Sequence, residues 1–293
     1  MRDIPEITPA LLRRMPLPNL DAGDKEQRGR VMVVAGSAEL PGAAVLTGTA
    51  ALRAGAGKLQ IATCCSVAPY VGITVPEARV FALPETEAGA ISPGAASIVL
   101  PRATACDAVV IGPGMADEPA ASALTAEFLK ALCGPTIVLD AAAMADLRRD
   151  PQLLHRHGGR IVITPHFGEM AGMLGIKKAD VEADPVAIVQ HAAALLHVVV
   201  ALKGSSTWVA TPDQEVWIFR NGCIGLATSG SGDVLAGIIG GLLARGCNPV
   251  QATMWGIHLH AGAGHRLTET KGPVGFLARE LLDEIPRLMA ALA

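Results

Sequence analysis

The stretch RVMVVAGSAELPGAAVLTGTAALRAGAGKLQIAT, residues 30–63, sets the fold class of this chain. It begins with a short apolar, β-branched run at 30–36, continues with a helical apolar pattern at 42–54, and ends with a second strand-like run at 58–63. Runs that are apolar on both faces are typical of strands buried inside a parallel sheet. A strand, a helix and a strand at this spacing predict a crossover connection between two parallel neighbours.

The same alternation continues along the chain. Further strand patterns lie at 107–112, 136–140, 160–165 and 197–204, and further helical patterns at 119–131, 142–149, 166–174 and 184–196. Residues 206–220 predict two short strands around a Pro-Asp turn, a hairpin at one sheet edge, and the chain closes with helices at 233–245, 249–268 and 275–292. We therefore predict an α/β fold in which one domain, 1–293, has a central, mainly parallel sheet with helices on both faces.

Composition narrows the classes of function. The chain is 51% hydrophobic and 17% charged with a net charge of -3, which argues against nucleic acid or an anionic membrane as the partner. Residues 1–20 carry acids and prolines instead of the apolar run of a secretion signal, and no apolar segment approaches the ~20 residues that cross a bilayer. Six cysteines without a CxxC or metal-ligand spacing favour reduced thiols in a cytoplasmic protein.

Two familiar nucleotide-binding signatures are missing from the sequence. There is no GxxxxGK[ST], so a P-loop is excluded. GAG at 55–57 and GPG at 112–114 lack the third glycine and the later acid of a dinucleotide fingerprint. Any anionic ligand must therefore be bound by other local sequence elements.

Residues 230–233, the GSGD turn, read Gly-Ser-Gly-Asp directly before a helical pattern. The unpaired N–H groups and the dipole of a helix start attract anions, and glycine lets the backbone close on a phosphate. We interpret Gly230, Ser231 and Gly232 as a phosphate anion hole. Asp233 has two interpretations, a helix N-cap, which is the commoner role of such an aspartate, or a general base beside the phosphate.

A second phosphate-type element follows the strand pattern at 197–204. Lys203, Gly204, Ser205, Ser206 and Thr207 supply a positive charge, a small residue and three hydroxyls for the phosphates of a nucleotide. An ordinary polar turn between a strand and a hairpin would have similar residues. The two elements together shift the balance towards a nucleotide site, because ligands of parallel α/β sheets bind beyond the carboxyl ends of the strands.

Six motifs in a fixed order identify the family that the chain resembles. They are VVAGSAELPGAA with ALRAGAGK, IGPGM, LDAAA, TPHFGEM, LKGSST and TSGSGDVLAGIIGGLLARG. From about Arg28 to about Ile285 the chain resembles the ADP/ATP-dependent NAD(P)H-hydrate dehydratases of the ribokinase-like superfamily. The epimerase domain that is fused to some members has no counterpart in this sequence.

The resemblance implies roles for particular residues. The lysine loop, Lys203 to Thr207, would line the adenine nucleotide, and Gly232 would contact it as well. Asp233 would contact the hydrated nicotinamide. Ala44, Gly114 and His166 would hold the rest of the hydrate, with its pyrophosphate facing the helix start near Gly42.

The resemblance also implies the reaction, namely dehydration of hydrated NADH or NADPH at the expense of ADP or ATP. Asp233 would take the proton of the ring hydroxyl while its oxygen attacks the terminal phosphoryl group, with Mg²⁺ and the backbone amides of the GSGD turn stabilising charge. The phosphate ester would then be expelled. A homo-oligomer is implied too, with a tetramer among its forms.

The sequence departs from the family pattern at three positions, and two other functions remain as alternatives. Ser229 stands where a glycine is common, Phe167 where a proline opens the helix, and Ala142 where an acid is frequent. A ribokinase-like kinase of a small hydroxymethyl or hydroxyethyl vitamin precursor shares the Gly-x-Gly-Asp chemistry, and a non-catalytic nucleotide sensor could keep the fold. No direct protein metal site is predicted, since the histidines 258, 260 and 265 lack a carboxylate or cysteine that would complete a ligand set.

Overall fold

A computed structural model describes residues 4–18 and 27–292, so the ends of the predicted domain range and part of the N-terminal stretch lie outside the described residues. Nine strands form one sheet: β1 Arg30–Val34, β2 Lys58–Cys64, β3 Ala78–Leu83, β4 Ala108–Ile111, β5 Thr136–Leu139, β6 Ile161–Ile163, β7 Val199–Leu202, β8 Thr207–Ala210 and β9 Val216–Phe219. Their order is β3-β2-β1-β4-β5-β6-β7-β8-β9. The first seven strands run parallel, and β7, β8 and β9 pair antiparallel, which confirms the mainly parallel sheet and the edge hairpin.

Helices cover both faces of the sheet. They are α1 Pro9–Arg13, α2 Pro41–Arg53, α3 Ala68–Thr74, α4 Ala96–Ala103, α5 Glu118–Ala131, α6 Gln152–His155, α7 Phe167–Leu174, α8 Lys178–Ala183, α9 Pro185–Leu196, α10 Ser231–Ala244, α11 Pro249–Lys271, α12 Ala278–Leu281 and α13 Ile285–Leu292. Val31 and Val33 of β1 face a core shared with α2, α10 and α11, while Met32 and Val34 face a second core with α4, α5, α7 and α9. This alternation follows from the two-residue period of a strand and confirms helices on both faces.

The structure contains elements that the apolar pattern did not predict. They are strand β3 and the short helices α1, α3, α4, α6 and α8. Strand β3 was missed because it lies at the sheet edge and has a half-exposed pattern instead of a continuous apolar run. The helix predicted at 142–149 is wrong. Ala141 takes a left-handed conformation after β5, and two short 3₁₀ turns, Ala141–Met144 and Leu147–Arg149, follow it.

The C-terminal helix predicted at 275–292 is two helices. Helix α12 ends at Leu281, and α13 begins only at Ile285, with Pro286 in its first turn. A proline disfavours helical geometry in the residue before it and donates no backbone N–H, so the chain restarts the helix there. Among all the helices in the described parts of the chain, none is both long enough and apolar enough to cross a membrane.

Three glycines of α10 lie in close contacts, and only one of them packs against the sheet. A Cβ on Gly240 would lie 2.3 Å from the side chain of Val110 in β4. The other two approach α2 instead, where a Cβ on Gly237 would lie 2.2 Å from the carbonyl oxygen of Thr47, and one on Gly241 2.3 Å from that of Ala51. The close contact of α2 and α10 therefore requires glycine at positions 237 and 241. This contact brings the starts of both helices together.

We expect Gly237→Ala to lower the free energy of unfolding by about 1–3 kcal/mol, because its methyl group would meet a backbone carbonyl that can move only with α2. The matched control is Gly172→Ala on the exposed side of α7, where nothing lies within 4 Å of the added carbon. That change should stabilise the protein by about 0.5–1 kcal/mol, since alanine is the better helix former. Urea unfolding of both variants checks the pair, and equal effects would contradict the packing argument.

Candidate active site

Three neighbouring parallel strands deliver polar side chains to the same edge of the sheet. Asp140 follows β5, Thr164 and His166 follow β6, and Lys203 follows β7. The backbone N–H of Lys203 donates to the carbonyl of Pro165 at 2.8 Å, which ties the ends of β6 and β7 together. The carboxyl ends of parallel strands are where such folds bind ligands, so this edge is the candidate active site.

A buried ion pair lies at the centre of this edge. Lys203 Nζ donates to Asp140 Oδ1 at 2.9 Å, and the hydroxyl of Thr164 donates to the same oxygen at 2.6 Å. The Asp140 side chain is 4% exposed and that of Lys203 21%. Burial acts to lower the pKa of Lys203, but Asp140, Glu169 and Asp233 together outweigh it and leave that pKa raised. The ammonium therefore stays charged beside the site.

The GSGD turn begins α10 without any side-chain cap. Gly230 is the N-cap residue, in the left-handed conformation with φ of 85°, and no side chain accepts a hydrogen bond from the first turn. Asp233 is the third residue of the helix, so its interpretation as the N-cap is wrong. The N–H of Ser231 donates to the carbonyl of Thr228 at 3.2 Å, so this residue of the predicted anion hole has its amide in use. No side chain caps the amides of Gly232 and Asp233, which can therefore meet an anion.

Asp233 sits in an environment that favours its neutral form. Burial, together with the charge of Asp140, raises the pKa of Asp233 to about 6 against the opposing charge of Lys203. No hydrogen bond from a described residue contributes to this pKa. A carboxylate with a pKa close to neutrality can accept a proton and release it again, which is the property of a general base.

The GSGD turn lies against the lysine loop. A Cβ on Gly232 would lie 3.4 Å from Lys203 Nζ and 3.9 Å from Asp140 Oδ2. The structure therefore brings Gly232, Asp233 and Lys203 together, as the nucleotide interpretation requires.

The rest of the lysine loop reaches the surface. Gly204 and Ser205 are exposed, while Ser206 and Thr207 are partly buried as β8 begins. The ring of Phe167 covers Gly204, where a Cβ would lie 2.4 Å from a ring carbon, and meets Trp208 edge-on with centroids 5.9 Å apart.

His166 is the N-cap of α7, so one of its nitrogens is committed to the fold. Its Nδ1 accepts from the backbone N–H groups of Gly168 and Glu169 at 3.0 and 3.1 Å, and the Glu169 carboxylate accepts from the N–H of His166 at 2.7 Å. His166 and Glu169 thereby form a capping box at the start of α7. The imidazole remains 59% exposed, so its Nε2 edge stays accessible.

Gly114 and Ala44 lie at the start of α2. Gly114 has φ of 67°, and a Cβ there would lie 2.4 Å from that of Ala43, so only glycine fits beneath the helix start. Pro113 accepts from the N–H of Gly36 at 2.8 Å, which joins the loops after β1 and β4. Ala44 is fully buried, so any ligand contact by this residue would involve the surrounding backbone instead of an exposed methyl group.

His260 lies beside the GSGD turn, a position that its sequence pattern did not predict. His260 of α11 places Nε2 3.0 Å from the Ser231 hydroxyl, although 29 residues separate them. His265 is also satisfied, through the Asn221 carbonyl at 2.9 Å, whereas Nδ1 of His258 is buried without a hydrogen-bond partner among the described residues. No sequence spacing indicates which of these histidines meets the GSGD turn, because that depends on how α11 packs on α10.

Comparison with known proteins assigns the chain to a family. A family model described as NAD(P)H-hydrate dehydratase matches residues 31–287. This chain belongs to the NAD(P)H-hydrate dehydratase family. An ADP-dependent (S)-NAD(P)H-hydrate dehydratase of Xanthomonas campestris pv. campestris is 48% identical over 98% of this chain and 96% of that protein. The chain spans about half the length of the bifunctional NAD(P)H-hydrate repair enzymes that it also matches.

Solved structures of other proteins have the same architecture. The ADP/ATP-dependent NAD(P)H-hydrate dehydratase of Bacillus subtilis, co-crystallised with ATP and Mg²⁺, aligns over all of both chains with a TM-score of 0.83 at 27% identity. A ribokinase-like superfamily protein of Enterococcus faecalis V583 aligns over 100% of this chain and 98% of its own at the same TM-score and 22% identity. The ribokinase-like fold is thus confirmed.

The departures of this chain from the dehydratase pattern have small local consequences. Phe167 begins α7 even though proline is common there, because the His166–Glu169 capping box sets the helix start. Ser229 is exposed and precedes the left-handed Gly230, so its side chain does not enter the GSGD turn. Ala142 lies in a 3₁₀ turn directly after Asp140, which supplies the carboxylate at this strand end.

Proposed function

We propose that this protein dehydrates the hydrated forms of NADH and NADPH with ADP as the phosphoryl donor, giving NADH or NADPH, AMP and phosphate. ATP would serve in the same way and give ADP. The observation that carries the proposal is the position of Asp233, a carboxylate of raised pKa at a helix start without a side-chain cap, beside Lys203. The names of the relatives supply the substrate class.

The first chemical step transfers a phosphoryl group to the substrate. Asp233 accepts the proton of the C6 hydroxyl as the hydroxyl oxygen attacks the terminal phosphorus of ADP, and the bond to AMP breaks. The amides of Gly230 and Gly232 donate to the phosphoryl oxygens, because the N–H of Ser231 is paired with the carbonyl of Thr228 at 3.2 Å. Lys203 supplies a fixed positive charge. The substrate hydroxyl thereby becomes a phosphate ester, a far better leaving group than hydroxide.

The second step expels the phosphate. The lone pair of the ring nitrogen forms a double bond to C6 as the C6–O bond breaks, and loss of a proton from C5 restores the dihydronicotinamide.

The two substrates would lie on opposite sides of the site. In the nucleotide interpretation the lysine loop, Lys203 to Thr207, lines the ADP. Ala44, Gly114 and His166 would hold the hydrate on the opposite side of the site.

A magnesium ion fits this site as the companion of a nucleotide. In the described parts of the chain, no group of three or more His, Cys, Asp or Glu side chains could hold a metal by itself. Nucleotide-bound Mg²⁺ usually takes one or two carboxylates plus phosphate oxygens, and Asp140 and Asp233 are the carboxylates near the GSGD turn. When bound, it would neutralise charge on the transferring phosphoryl group.

A repair assay tests the proposed function directly. NADH hydrate is incubated with the protein, Mg²⁺ and either ADP or ATP, and the return of the reduced-nicotinamide absorbance is followed. Recovery that requires a nucleotide supports the dehydratase, and the faster nucleotide is the preferred donor. A folded sample that binds nucleotide but restores no absorbance would favour the vitamin-precursor kinase or the sensor, and consumption of nucleotide without repair would separate the first from the second.

We expect kcat/KM of the repair reaction to fall tenfold for each pH unit below about 6, because a general base must be ionised and burial raises the pKa of Asp233 to about 6. An aspartate at its ordinary pKa of 3.8 would place the same fall two units lower. The measurement is kcat/KM for NADH hydrate from pH 4.5 to 8 at saturating ADP, restricted to the range in which the fold is stable. A flat profile down to pH 4.5 would remove Asp233 as the base.

We also propose the setting in which the enzyme acts. Residues 1–293 form a single domain, supported by the one continuous sheet, and the six unpaired cysteines suit a reducing cytoplasm. A homo-oligomer is supported by exposed apolar side chains on α3 and α4, where Tyr70 is 69%, Ile73 80% and Ile98 52% exposed. Light scattering on the purified protein tests the assembly, with a tetramer as the first form to examine.

A further inference from the structure

Two hydrogen bonds hold the backbone of the GSGD turn, one from the N–H of Ser231 to the carbonyl of Thr228 at 3.2 Å and one from the hydroxyl of Thr47 to the carbonyl of Asp233 at 3.1 Å. A side chain of the turn adds a further restraint. Gly230 and Gly232 have no side chains, and Ser231 between them is the one residue that can anchor the start of the turn through a side chain. Glycine loses more conformational freedom on ordering than any other residue, so a turn with two glycines needs an external restraint to keep its amides aimed at a ligand. The side chain of Ser231 supplies that restraint.

The restraint runs from Ser231 to α11. The hydroxyl of Ser231, a 5% exposed residue, lies 3.0 Å from Nε2 of His260. Burial lowers the pKa of His260 to about 4, and nearby Lys203 lowers it too, so the imidazole is neutral at physiological pH. The backbone of Ser231 acts in the opposite direction, as an acceptor facing a ring N–H does.

We propose that His260 is a positioning residue that holds the GSGD turn in its phosphate-facing conformation through its hydrogen bond to Ser231. The inference rests on the function proposed above, since it assigns His260 to the phosphoryl-transfer step. His260 touches neither substrate nor nucleotide in this assignment. His260 orders the turn before the reaction, so that its amides already face the position of the transferring phosphoryl group. Without this restraint the turn would have to be ordered during the reaction.

Kinetics of four variants test this assignment. His260→Ala and Ser231→Ala should each lower kcat about 10- to 100-fold, the usual cost of slight misplacement, with KM for ADP changed less than about threefold. The double variant should be no slower than either single variant, because both remove the same hydrogen bond. His260→Gln should recover most of the rate, since its amide nitrogen can donate to Ser231.

The matched control is His258→Ala on the same helix. That imidazole also has a pKa lowered by burial, but it packs edge-on against Phe219 at 6.1 Å, and its buried Nδ1 has no hydrogen-bond partner among the described residues. We expect kcat of this variant to stay within about threefold of the wild type. Equal losses of kcat in His258→Ala and His260→Ala would show that the effect comes from general helix packing and would overturn the proposal. Additive losses of kcat in the double variant would overturn it too, because the two side chains would then act independently.

Amide hydrogen exchange provides a readout that does not depend on turnover. Peptides covering 228–235 should exchange faster in His260→Ala than in the wild type or in His258→Ala, because the turn has lost its restraint. Unchanged exchange would contradict the positioning role even if kcat fell. Inactivity of the wild type in the repair assay would instead contradict the dehydratase function, and the exchange result would still decide whether His260 orders the turn.

Discussion

Replacing Asp233 by asparagine should lower kcat of NADH-hydrate repair by about two to four orders of magnitude, the range over which general bases contribute. Asparagine keeps the shape of the side chain but cannot take the hydroxyl proton. KM for ADP should change little, because the amides of the GSGD turn and Lys203 remain in place. The control is Asp213→Asn in the exposed turn between β8 and β9, which should leave turnover unchanged.

The same substitution should stabilise the protein at alkaline pH. Burial raises the pKa of Asp233 to about 6 in the folded state from an ordinary 3.8, so the folded protein prefers the neutral carboxyl. The stabilising contribution of this proton is complete below pH 3.8 and is lost as the pH rises through 6. At pH 8 the ionised form costs about 1–3 kcal/mol, at about 1.4 kcal/mol per pKa unit, and Asp233→Asn removes that cost.

Thermal melts at pH 8 and pH 4 separate the two roles of Asp233. The melting temperature of Asp233→Asn should exceed that of the wild type at pH 8, and the two should converge towards pH 4. A variant that turns over normally would show that Asp233 is not the base. A variant that is inactive and also less stable at pH 8 would show that the carboxylate supports the fold, contrary to the environment described here.

Replacing Lys203 by methionine should both destabilise the protein and weaken nucleotide binding. Removal of one partner of a buried ion pair costs about 3–5 kcal/mol, and because the Lys203 side chain is 21% exposed we expect about 2–4 kcal/mol here. The cost arises because the Asp140 carboxylate, at 4% exposure, would keep Thr164 as its one side-chain partner among the residues that the structure describes. Loss of the charged donor should raise KM for ADP about 10- to 100-fold, as for a hydrogen bond to a charged group.

Two further variants assign these effects to burial. Lys130→Met removes an exposed ion pair with Glu127, at 3.0 Å and with both side chains about half exposed, and should cost less than about 1 kcal/mol. The double variant Asp140→Asn/Lys203→Met removes both charges and should regain much of the lost stability without regaining affinity for ADP. Urea unfolding and ADP titration measure the two properties separately. Equal costs for Lys130→Met and Lys203→Met would contradict the buried-pair argument.

Much of the architecture was predictable from local sequence patterns. Continuous apolar runs of β-branched residues indicated six of the seven parallel strands, and the Pro-Asp turn indicated the edge hairpin. Strand β3 was missed because it lies at the edge of the sheet, where exposed residues such as Arg79 interrupt the apolar run. The extra helices and the break near Pro286 depend on local backbone geometry that apolar periodicity does not report.

The sequence by itself determined the fold class, the order of the motifs and their placement after the strands, because hydrophobic period and residue type act over a few neighbouring residues. Only the tertiary structure decided that Gly230 begins α10, that Asp140 pairs with Lys203 63 residues away, and that His260 restrains Ser231. The raised pKa of Asp233 was likewise decided only by the tertiary structure. Burial and charge–charge distance arise from elements remote in sequence that pack together, and a one-dimensional pattern does not contain those distances.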